Sequence, residues 1–245
     1  MFNFFLETAP YEGKFRICGN DYNHVTNVLR MKTGENLLVS HGGASHLCKI
    51  VEFTNDSVIV EIIEENYQNT SLPIEIYLFQ GLPKSDKLEL IIQKTVELGV
   101  SKIIPVEMSR SIVKIEPKKA ESKVSRWQAI AESAAKQSKR TVIPTIEKPI
   151  SFNSALEIAK TLDLFIVPYE CKNGMLDTTH VLSQIKPNTK VGIMIGPEGG
   201  FSDNEIEKVL LSNGQTISLG KRILRTETAA ILSVGAIMLY AEINL

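Results

Sequence analysis

Cysteine, tryptophan and long apolar runs are scarce in this chain of 245 residues. The three cysteines, Cys18, Cys48 and Cys171, are far apart and form no C-x-x-C pair, which excludes a disulfide framework and favours a reducing cytoplasm. The most apolar stretch, Ala229 to Tyr240, spans 12 residues, fewer than the ~20 that cross a bilayer. Met1 to Leu6 lacks the basic start and apolar region of a signal peptide. We therefore expect a cytoplasmic protein with no membrane partner.

The net charge of the whole chain is also close to zero, but the charges are unevenly distributed along it. The chain carries 27 Lys and Arg against 28 Asp and Glu, and this balance taken alone counts against a nucleic-acid partner. Residues 1–72 contain 5 basic and 9 acidic side chains, whereas residues 81–150 contain 14 basic and 8 acidic ones. Clustered charge, rather than net charge, attracts a polyanion to a surface. A solvated lysine-rich helix face is the plainer interpretation of such a block.

Two patterns of predicted secondary structure divide the chain. Residues 1–70 contain five short β-rich runs, separated by glycine and asparagine turns, and one helix, Asp21 to Met31, which together predict a small β-barrel. In residues 73–245 strands and helices alternate, which predicts an α/β domain with a mostly parallel sheet. Three helix starts carry capping signals: Asp86 with Glu89, Ser202 with Glu205, and Thr226 or Thr228.

Three turns after apolar strands are the candidates for a ligand site. They are Val167 to Glu170, the Gly-Pro-Glu-Gly-Gly turn at Gly196 to Gly200, and Leu219 to Thr228. Ligands of open α/β sheets bind beyond the carboxyl ends of the strands, so the three turns are expected to converge on one pocket. Each turn alone is equally a plain strand-to-helix connection. No P-loop and no G-x-G-x-x-G motif is present, and the histidines have no metal-ligand spacing, so no metal is expected.

Seven strings spread along the chain carry a resemblance to a known family: His24 to Arg30, Gly81 to Lys87, Glu97 to Gly99, Arg110 to Lys114, Gln137 to Arg140, Ile195 to Gly200 and Leu219 to Ala229. In this order they resemble the RsmE family, the 16S ribosomal RNA uridine-N3 methyltransferases of the SPOUT superfamily. Two positions depart from the family pattern. Asn3 and Phe4 stand where an arginine is common, and Lys136 stands where an acidic residue is usual.

The resemblance implies a fold, a cofactor and an assembly. It implies a PUA-like RNA-binding β-barrel in residues 1–70 and a SPOUT α/β-knot domain in residues 73–245. In the knot the chain forms a deep trefoil, an exception to the rule that connections do not thread. It also implies S-adenosylmethionine bound by the three knot loops, and a homodimer. The implied cofactor-binding residues are Val167, Pro168, Tyr169, Glu170, Gly196, Pro197, Glu198, Gly199, Gly200, Leu219, Gly220, Ile223, Leu224, Arg225 and Thr228.

The implied activity is methylation of N3 of a specific uridine in 16S ribosomal RNA, with the RNA or the small ribosomal subunit as partner. We expect Arg225 to stabilise charge that develops on the uracil ring. Glu227 is expected to act as a base or to orient that arginine, and a role at the helix N-terminus is an equal alternative. The N3 atom lies on the Watson–Crick edge, so the uridine must be unpaired. The basic residues expected to contact RNA are His24, Arg30, Lys84, Arg110, Lys114, Lys139 and Arg140.

Other interpretations stay open. One is a SPOUT enzyme that acts on another RNA atom, such as a ribose 2′-hydroxyl. Another is an RNA-binding or ribosome-assembly factor that has the same scaffold and no catalytic activity. A Rossmann-fold methyltransferase is disfavoured, because its glycine motif would follow the first strand of the domain rather than lie about 120 residues further on.

Overall fold

A computed structural model describes residues 1–169 and 175–245, except the side chains of Pro117, Leu176 and Asp177. The chain forms two compact units. The first contains residues 1–71 and 135–143, and the second contains residues 72–134 and 144–245. This division differs from the predicted one in a single segment, because residues 135–143 belong to the first unit. The basic string Gln137 to Arg140 therefore lies in the β-rich unit.

Buried polar contacts hold the returning segment in the first unit. Asn3 is only 5% exposed, and its Nδ2 donates to the carbonyl oxygen of Arg140 at 3.0 Å. Ser40 Oγ donates to the same oxygen at 3.3 Å, and Lys136 Nζ lies 3.2 Å from Asp21 Oδ1. Buried polar groups need partners. Here the partner of Asn3 is 137 positions away along the chain, a distance that local sequence patterns do not report.

Five strands form the sheet of the first unit: β1 (Asn3–Phe5), β2 (Lys14–Cys18), β3 (Asn36–His41), β4 (Ala44–Phe53) and β5 (Ser57–Glu64). Their order is β1-β3-β4-β5-β2. The first pair is parallel and the others are antiparallel, so the curled sheet is mixed. Apolar side chains from the strands meet in one core, because alternate residues of a strand face the same side. All five strands lie where the sequence predicts them.

The helix predicted over Asp21 to Met31 is wrong in its extent and its phase. The chain instead forms a short helix, α1 (Gly19–Asn23), followed by a π-helical turn over His24–Val28. A π-helical turn is wider than an α-helical one and changes which residues face the core. As a result Val25 is buried whereas Val28 is 64% exposed, although an α-helix would place both on one face.

The second unit is an α/β structure built on a parallel sheet. Its strands are β6 (Glu75–Gly81), β7 (Lys102–Glu107), β8 (Thr145–Ile146), β9 (Ile150–Ser151), β10 (Leu164–Pro168), β11 (Lys190–Ile195) and β12 (Gln215–Ile217). The order is β12-β10-β11-β6-β7-β8, with β9 beside β7, and every pair is parallel. This confirms the predicted fold class, an α/β domain with a mostly parallel sheet preceded by a small β-sheet unit, and the unit predicted as a PUA-like β-barrel is a curled mixed sheet. The trefoil knot stays a prediction of the resemblance.

Helices cover both faces of this sheet: α2 (Lys87–Glu97), α3 (Pro117–Gln137), α4 (Phe152–Ala159), α5 (Met175–Leu182), α6 (Asp203–Leu211) and α7 (Thr226–Asn244). Buried side chains of α4 and α6 share a core with Phe79, Phe165 and Met194 of the sheet. On the other face, α7 packs against β6, β11 and α2. The sequence predicts helices over residues 86–98, 118–139, 151–160 and 226–242 and one that begins at Ser202, and the structure has a helix at each of these places. Helix α5 was not predicted.

The two predicted capping boxes have different outcomes. Ser202 and Glu205 form both halves of the box at the start of α6, which confirms that prediction. Asp86 occupies the N-cap position of α2 but makes no side-chain capping bond, so that box is wrong. Glu89 instead lies 2.7 Å from Arg126 in an ion pair, and a carboxylate engaged there does not reach back to its own helix start.

Helix α7 is longer than the apolar stretch recognised in the sequence. Its 19 residues have the length and composition of a membrane-crossing helix, and 33% of its most apolar window is buried inside the structure. A helix in the core of a soluble protein can have the same length and apolar composition. Ala230, Val234 and Ile237 on α7 are buried, as expected of a helix that packs along a sheet.

Candidate functional site

The parallel sheet brings the three predicted ligand turns to one edge. Gln80 near the end of β6 pairs with Ile195 at the end of β11, and Pro168 at the end of β10 pairs with Ile217 at the end of β12. The turns that follow these strands therefore start at the same side of the sheet. Of the residues in these turns, Glu170 lies outside the described residues.

A hydrogen-bonded relay joins the start of α7 to two strand ends. Thr226 Oγ1 donates to the carbonyl oxygen of Gly196 at 2.7 Å and accepts from Gln80 Nε2 at 3.0 Å. Gln80 Nε2 also donates to the carbonyl oxygen of Gly81 at 2.9 Å. The Thr226 hydroxyl is thus engaged in the relay and does not cap α7. Arg225 occupies the N-cap position and makes no side-chain capping bond, so the predicted threonine cap is wrong.

One ammonium group lies between two acidic residues of this edge. Lys87 Nζ is 2.9 Å from Glu198 Oε1 and 3.4 Å from Glu227 Oε2. The Glu198 carboxylate also accepts from the backbone N–H of Lys84 at 3.1 Å. The bond to Glu198, with Glu227 nearby, raises the pKa of Lys87. Burial alone would raise the pKa of Glu198, but the bonds from Lys87 and Lys84 outweigh it and the pKa is lowered.

Close backbone packing explains several glycines of the site. A Cβ atom on Gly81 would lie 2.7 Å from Pro197 Cδ, and one on Gly199 would lie 2.9 Å from Arg110 Cβ. Arg110 Nη1 donates to the carbonyl oxygen of Gly199 at 3.1 Å. Gly220 has a φ of 102°, which other residues rarely adopt. The loops therefore require glycine at these positions, for space at the first two and for conformation at the third.

A buried carboxylate clamps the loop after β7 to the start of α6. Glu205 is 5% exposed and accepts from the N–H and hydroxyl of Ser109, at 2.8 and 2.9 Å. It also accepts from the N–H and hydroxyl of Ser202, at 2.8 and 3.0 Å. Burial raises the pKa of Glu205, but these four donors outweigh it and the pKa is lowered.

The predicted cofactor-binding residues differ in their accessibility. Val167, Gly196 and Pro197 are buried. Five others are half-buried: Pro168, Gly200, Leu219, Gly220 and Leu224. Six are exposed: Tyr169, Glu198, Gly199, Ile223, Arg225 and Thr228. Tyr169 is 38% exposed and its ring meets that of Phe201 edge-on, with centroids 6.5 Å apart. Buried and accessible groups thus lie side by side at this edge.

The two predicted catalytic residues, Arg225 and Glu227, are two positions apart in the sequence but lie in different surroundings. Arg225 is exposed, whereas the Glu227 side chain is 15% exposed and faces Lys87. Among the described contacts none joins Glu227 to Arg225, so the expected orientation of the arginine by this carboxylate is not seen. Lys87 and Gln80 are the residues of the site that sequence reasoning missed. Two signals for them were available in the sequence. Gln80 is a polar residue near the end of an apolar strand, and Lys87 belongs to the Gly81 to Lys87 string.

The predicted RNA-binding residues are divided between the two units. Lys84, Arg110 and Lys114 belong to the second unit and are exposed. The others, His24, Arg30, Lys139 and Arg140, belong to the first unit. His24 is half-buried and its ring lies edge-on to Phe4. Burial lowers the pKa of Arg140 to about 10. The described residues include no cluster of three metal-ligating side chains.

Comparison with known proteins defines the class to which this fold and site belong. Residues 70–238 match the family described as an RNA methyltransferase domain, and residues 17–63 match the RNA methyltransferase PUA domain. A crystal structure of a ribosomal RNA small subunit methyltransferase E from Neisseria gonorrhoeae, bound to S-adenosyl methionine, is similar. Its TM-score is 0.81 at 31% identity, with 98% of this chain and 97% of that chain covered.

Curated relatives identify the family within this class. The ribosomal RNA small subunit methyltransferase E of Bacillus subtilis is 38% identical over 242 residues, which cover 97% of this chain and 93% of the relative. That of Mesomycoplasma hyopneumoniae is 33% identical over 94% of this chain and 96% of the relative. The chain belongs to the ribosomal RNA small subunit methyltransferase E family, which confirms the resemblance found in the sequence.

Proposed function

We propose that this protein uses S-adenosylmethionine to methylate N3 of a uridine in the 16S RNA of the small ribosomal subunit. The observation that carries the proposal is the convergence of the turns after β10, β11 and β12 at one edge of a family-matched RNA methyltransferase domain. The relatives are named for small-subunit ribosomal RNA. Action on ribosomal RNA agrees with the cytoplasmic location expected from the cysteine content.

The turns fit a ligand with several polar groups. A Cβ atom on Gly200 or Gly220 would meet no atom within 4 Å, so the backbone on that side is open to a bound molecule. Gln80 Oε1 is buried and has no hydrogen-bond partner among the described residues, and a buried acceptor of this kind calls for a donor. The cofactor-binding set of the sequence analysis lies in these same turns, and we propose it as the binding set.

The bound cofactor would supply an electrophilic methyl group: the bond from methyl carbon to N3 forms, the carbon–sulfur bond breaks, and the N3 proton leaves to a base or to water. This chain would hold the uracil ring in line with that group, since positioning supplies much of such an acceleration. Negative charge develops on the ring as the proton leaves. The exposed guanidinium of Arg225, at the N-cap of α7, is proposed to stabilise this charge.

Nucleoside mass spectrometry tests the reaction. Purified protein, S-adenosylmethionine and small ribosomal subunits lacking the modification should yield 3-methyluridine. A ribose-methylated nucleoside would instead show that another RNA atom is the target. Cofactor binding measured by calorimetry with no methylated nucleoside would favour the assembly-factor interpretation. Either of these two results contradicts the proposal.

Arg225→Ala tests the proposed charge stabilisation. The single-turnover rate should fall by about 10²–10³, as for loss of one donor that acts on a developing anion, with RNA affinity little changed. Arg222→Ala is the matched control, since this arginine is exposed in the same loop. A full transfer rate in Arg225→Ala would remove the residue from the mechanism.

The RNA is proposed to be held by exposed basic residues such as Lys114 and Arg30. Each lost phosphate contact on a single strand reduces the slope of log affinity against log salt by about 0.7. Lys114→Ala should show this reduction. Lys190→Ala should not, because Lys190 is exposed at the start of β11, at the opposite edge of the sheet.

A homodimer through α7 is the proposed assembly. Leu232, Leu239 and Ile243 are 43%, 55% and 71% exposed, and their spacing of seven and four residues places them on one helix face. An exposed apolar stripe of this kind favours association with a second copy. Leu239→Glu should halve the mass measured by light scattering, whereas Leu211→Glu on α6, also exposed, should not. Binding to lipid vesicles by a monomer would contradict this assignment.

A further inference from the structure

The ion cluster around Lys87 joins three separate parts of the second unit. Lys87 is the first residue of α2, Glu198 lies in the turn after β11, and Glu227 lies in the first turn of α7. Their side chains are 31%, 29% and 15% exposed, so the charges are only partly solvated. A partly solvated cluster of this kind is screened less by salt than a surface ion pair.

The position of Lys87 argues against a purely local role. A cation in the first turn of a helix opposes the helix dipole, so Lys87 is unfavourable for α2 taken alone. Its ammonium group points away from its own helix to the carboxylates of two other segments, 111 and 140 positions later in the chain. Lys94 on the same helix is different, since it pairs with Glu97 one turn away at 2.9 Å and, among the described contacts, connects no other segment.

The environment of Glu227 bears on its chemistry. Its Oε2 atom is buried and makes no hydrogen bond among the described residues, and the charge that faces it is the Lys87 ammonium. The Glu227 carboxylate is therefore engaged with Lys87 and is placed to hold it.

We infer that Lys87 is a positioning residue of the methyl-transfer site, which holds Glu198 and Glu227 together and so fixes the Gly196–Gly200 turn relative to the start of α7. Glu227 acts through Lys87 and does not accept the substrate proton. This inference rests on the proposed function for its kinetic consequences, but the positioning itself is a property of the protein without substrate.

A double-mutant cycle tests the coupling. Lys87→Met and Glu227→Gln should each lower the single-turnover rate by about tenfold, and the double variant should be no slower than the slower single one, because Lys87→Met already removes the Lys87–Glu227 contact that Glu227→Gln weakens. Lys87→Arg should restore the rate to within about threefold of wild type. If Glu227 accepts the proton, the two losses multiply instead, and that result overturns the inference.

Hydrogen exchange gives a readout that needs no methyl transfer. Amides of residues 198–200 should exchange faster in Lys87→Met than in wild type, and Lys94→Met should leave them unchanged. Unchanged exchange in Lys87→Met overturns the inference even if the enzyme is active. Faster exchange in Lys87→Met, together with a wild-type protein that forms no 3-methyluridine, would support the positioning and reject the proposed function. If Lys87→Met does not fold, Glu198→Gln removes the same 2.9 Å contact.

Discussion

Replacement of Glu205 by glutamine is a sharp test of how the site loops are held. In wild type the carboxylate accepts four hydrogen bonds, from the N–H and hydroxyl groups of Ser109 and Ser202. Glutamine has one acceptor oxygen, so its amide NH₂ must face at least one donor. An unsatisfied buried donor costs about 1–3 kcal/mol, and the remaining bonds lose the strength given by charge. We expect Glu205→Gln to lower the free energy of unfolding by about 3 kcal/mol.

Thermal unfolding measures this loss. At about 2–4 °C per kcal/mol for a chain of this size, the midpoint should fall by about 6–12 °C. The single tryptophan, Trp127, is 4% exposed in the second unit, so its fluorescence reports the unit in which Glu205 lies. Glu207→Gln is the matched control, because this residue is exposed on the same helix and should shift the midpoint by less than about 1 °C.

The pH dependence gives the sign of the electrostatic contribution. The pKa of Glu205 is lowered from the ordinary value of 4.5, so its stabilisation is present above pH 4.5 and is lost as the pH falls through the lowered pKa. The difference between wild type and Glu205→Gln should therefore shrink below pH 4.5. A difference that is the same at pH 7 and pH 3, or equal midpoints for Glu205→Gln and Glu207→Gln, would refute the reasoning.

Three further changes have defined outcomes. Gly199→Ala should weaken S-adenosylmethionine binding in calorimetry, because the added carbon would lie 2.9 Å from Arg110 Cβ; unchanged affinity would show that the turn yields. Gly235→Ala should raise the unfolding midpoint, since its added carbon meets only the two methyl groups of Leu98, at 3.6 and 4.0 Å, and alanine favours the helix by about 1 kcal/mol; a lower midpoint contradicts this. Burial raises the pKa of Cys48 to about 12, so peptide-resolved thiol labelling at pH 8 should modify exposed Cys18 and spare Cys48.

The strands could be predicted, and so could the helices that begin at a clear capping signal, because the residue patterns that produce them are local in the sequence. The alternation of apolar residues places β5 at Ser57–Glu64, and the Ser202–Glu205 box marks the start of α6. The π-helical turn at His24–Val28 was not predictable. Its one buried residue, Val25, packs in the core of the first unit, and no residue type in the turn demands the wider geometry.

The glycine turns were recognised from the sequence, but the groups that hold them were not. Local pattern located Gly196–Gly200 as a strand-to-helix turn. It did not show that Gln80 bonds to Thr226, or that Lys87 faces Glu227, because these partners are 146 and 140 positions apart. The expectation that Glu227 acts as a base or orients Arg225 rested on residue type and on a separation of two positions along the chain, and neither determines where a side chain points.

The sequence alone determined most of the order of elements, except α5 and the π-helical turn, together with the α/β class and the family, since these follow from periodicity and from strings that are contiguous in the chain. The average charge concealed a basic block at residues 81–150, and only the tertiary structure divided it between the two units. It did so through contacts such as the bond from Asn3 to the Arg140 carbonyl. Burial and long-range pairing decide the role of a charged residue, and both arise only when the chain is folded.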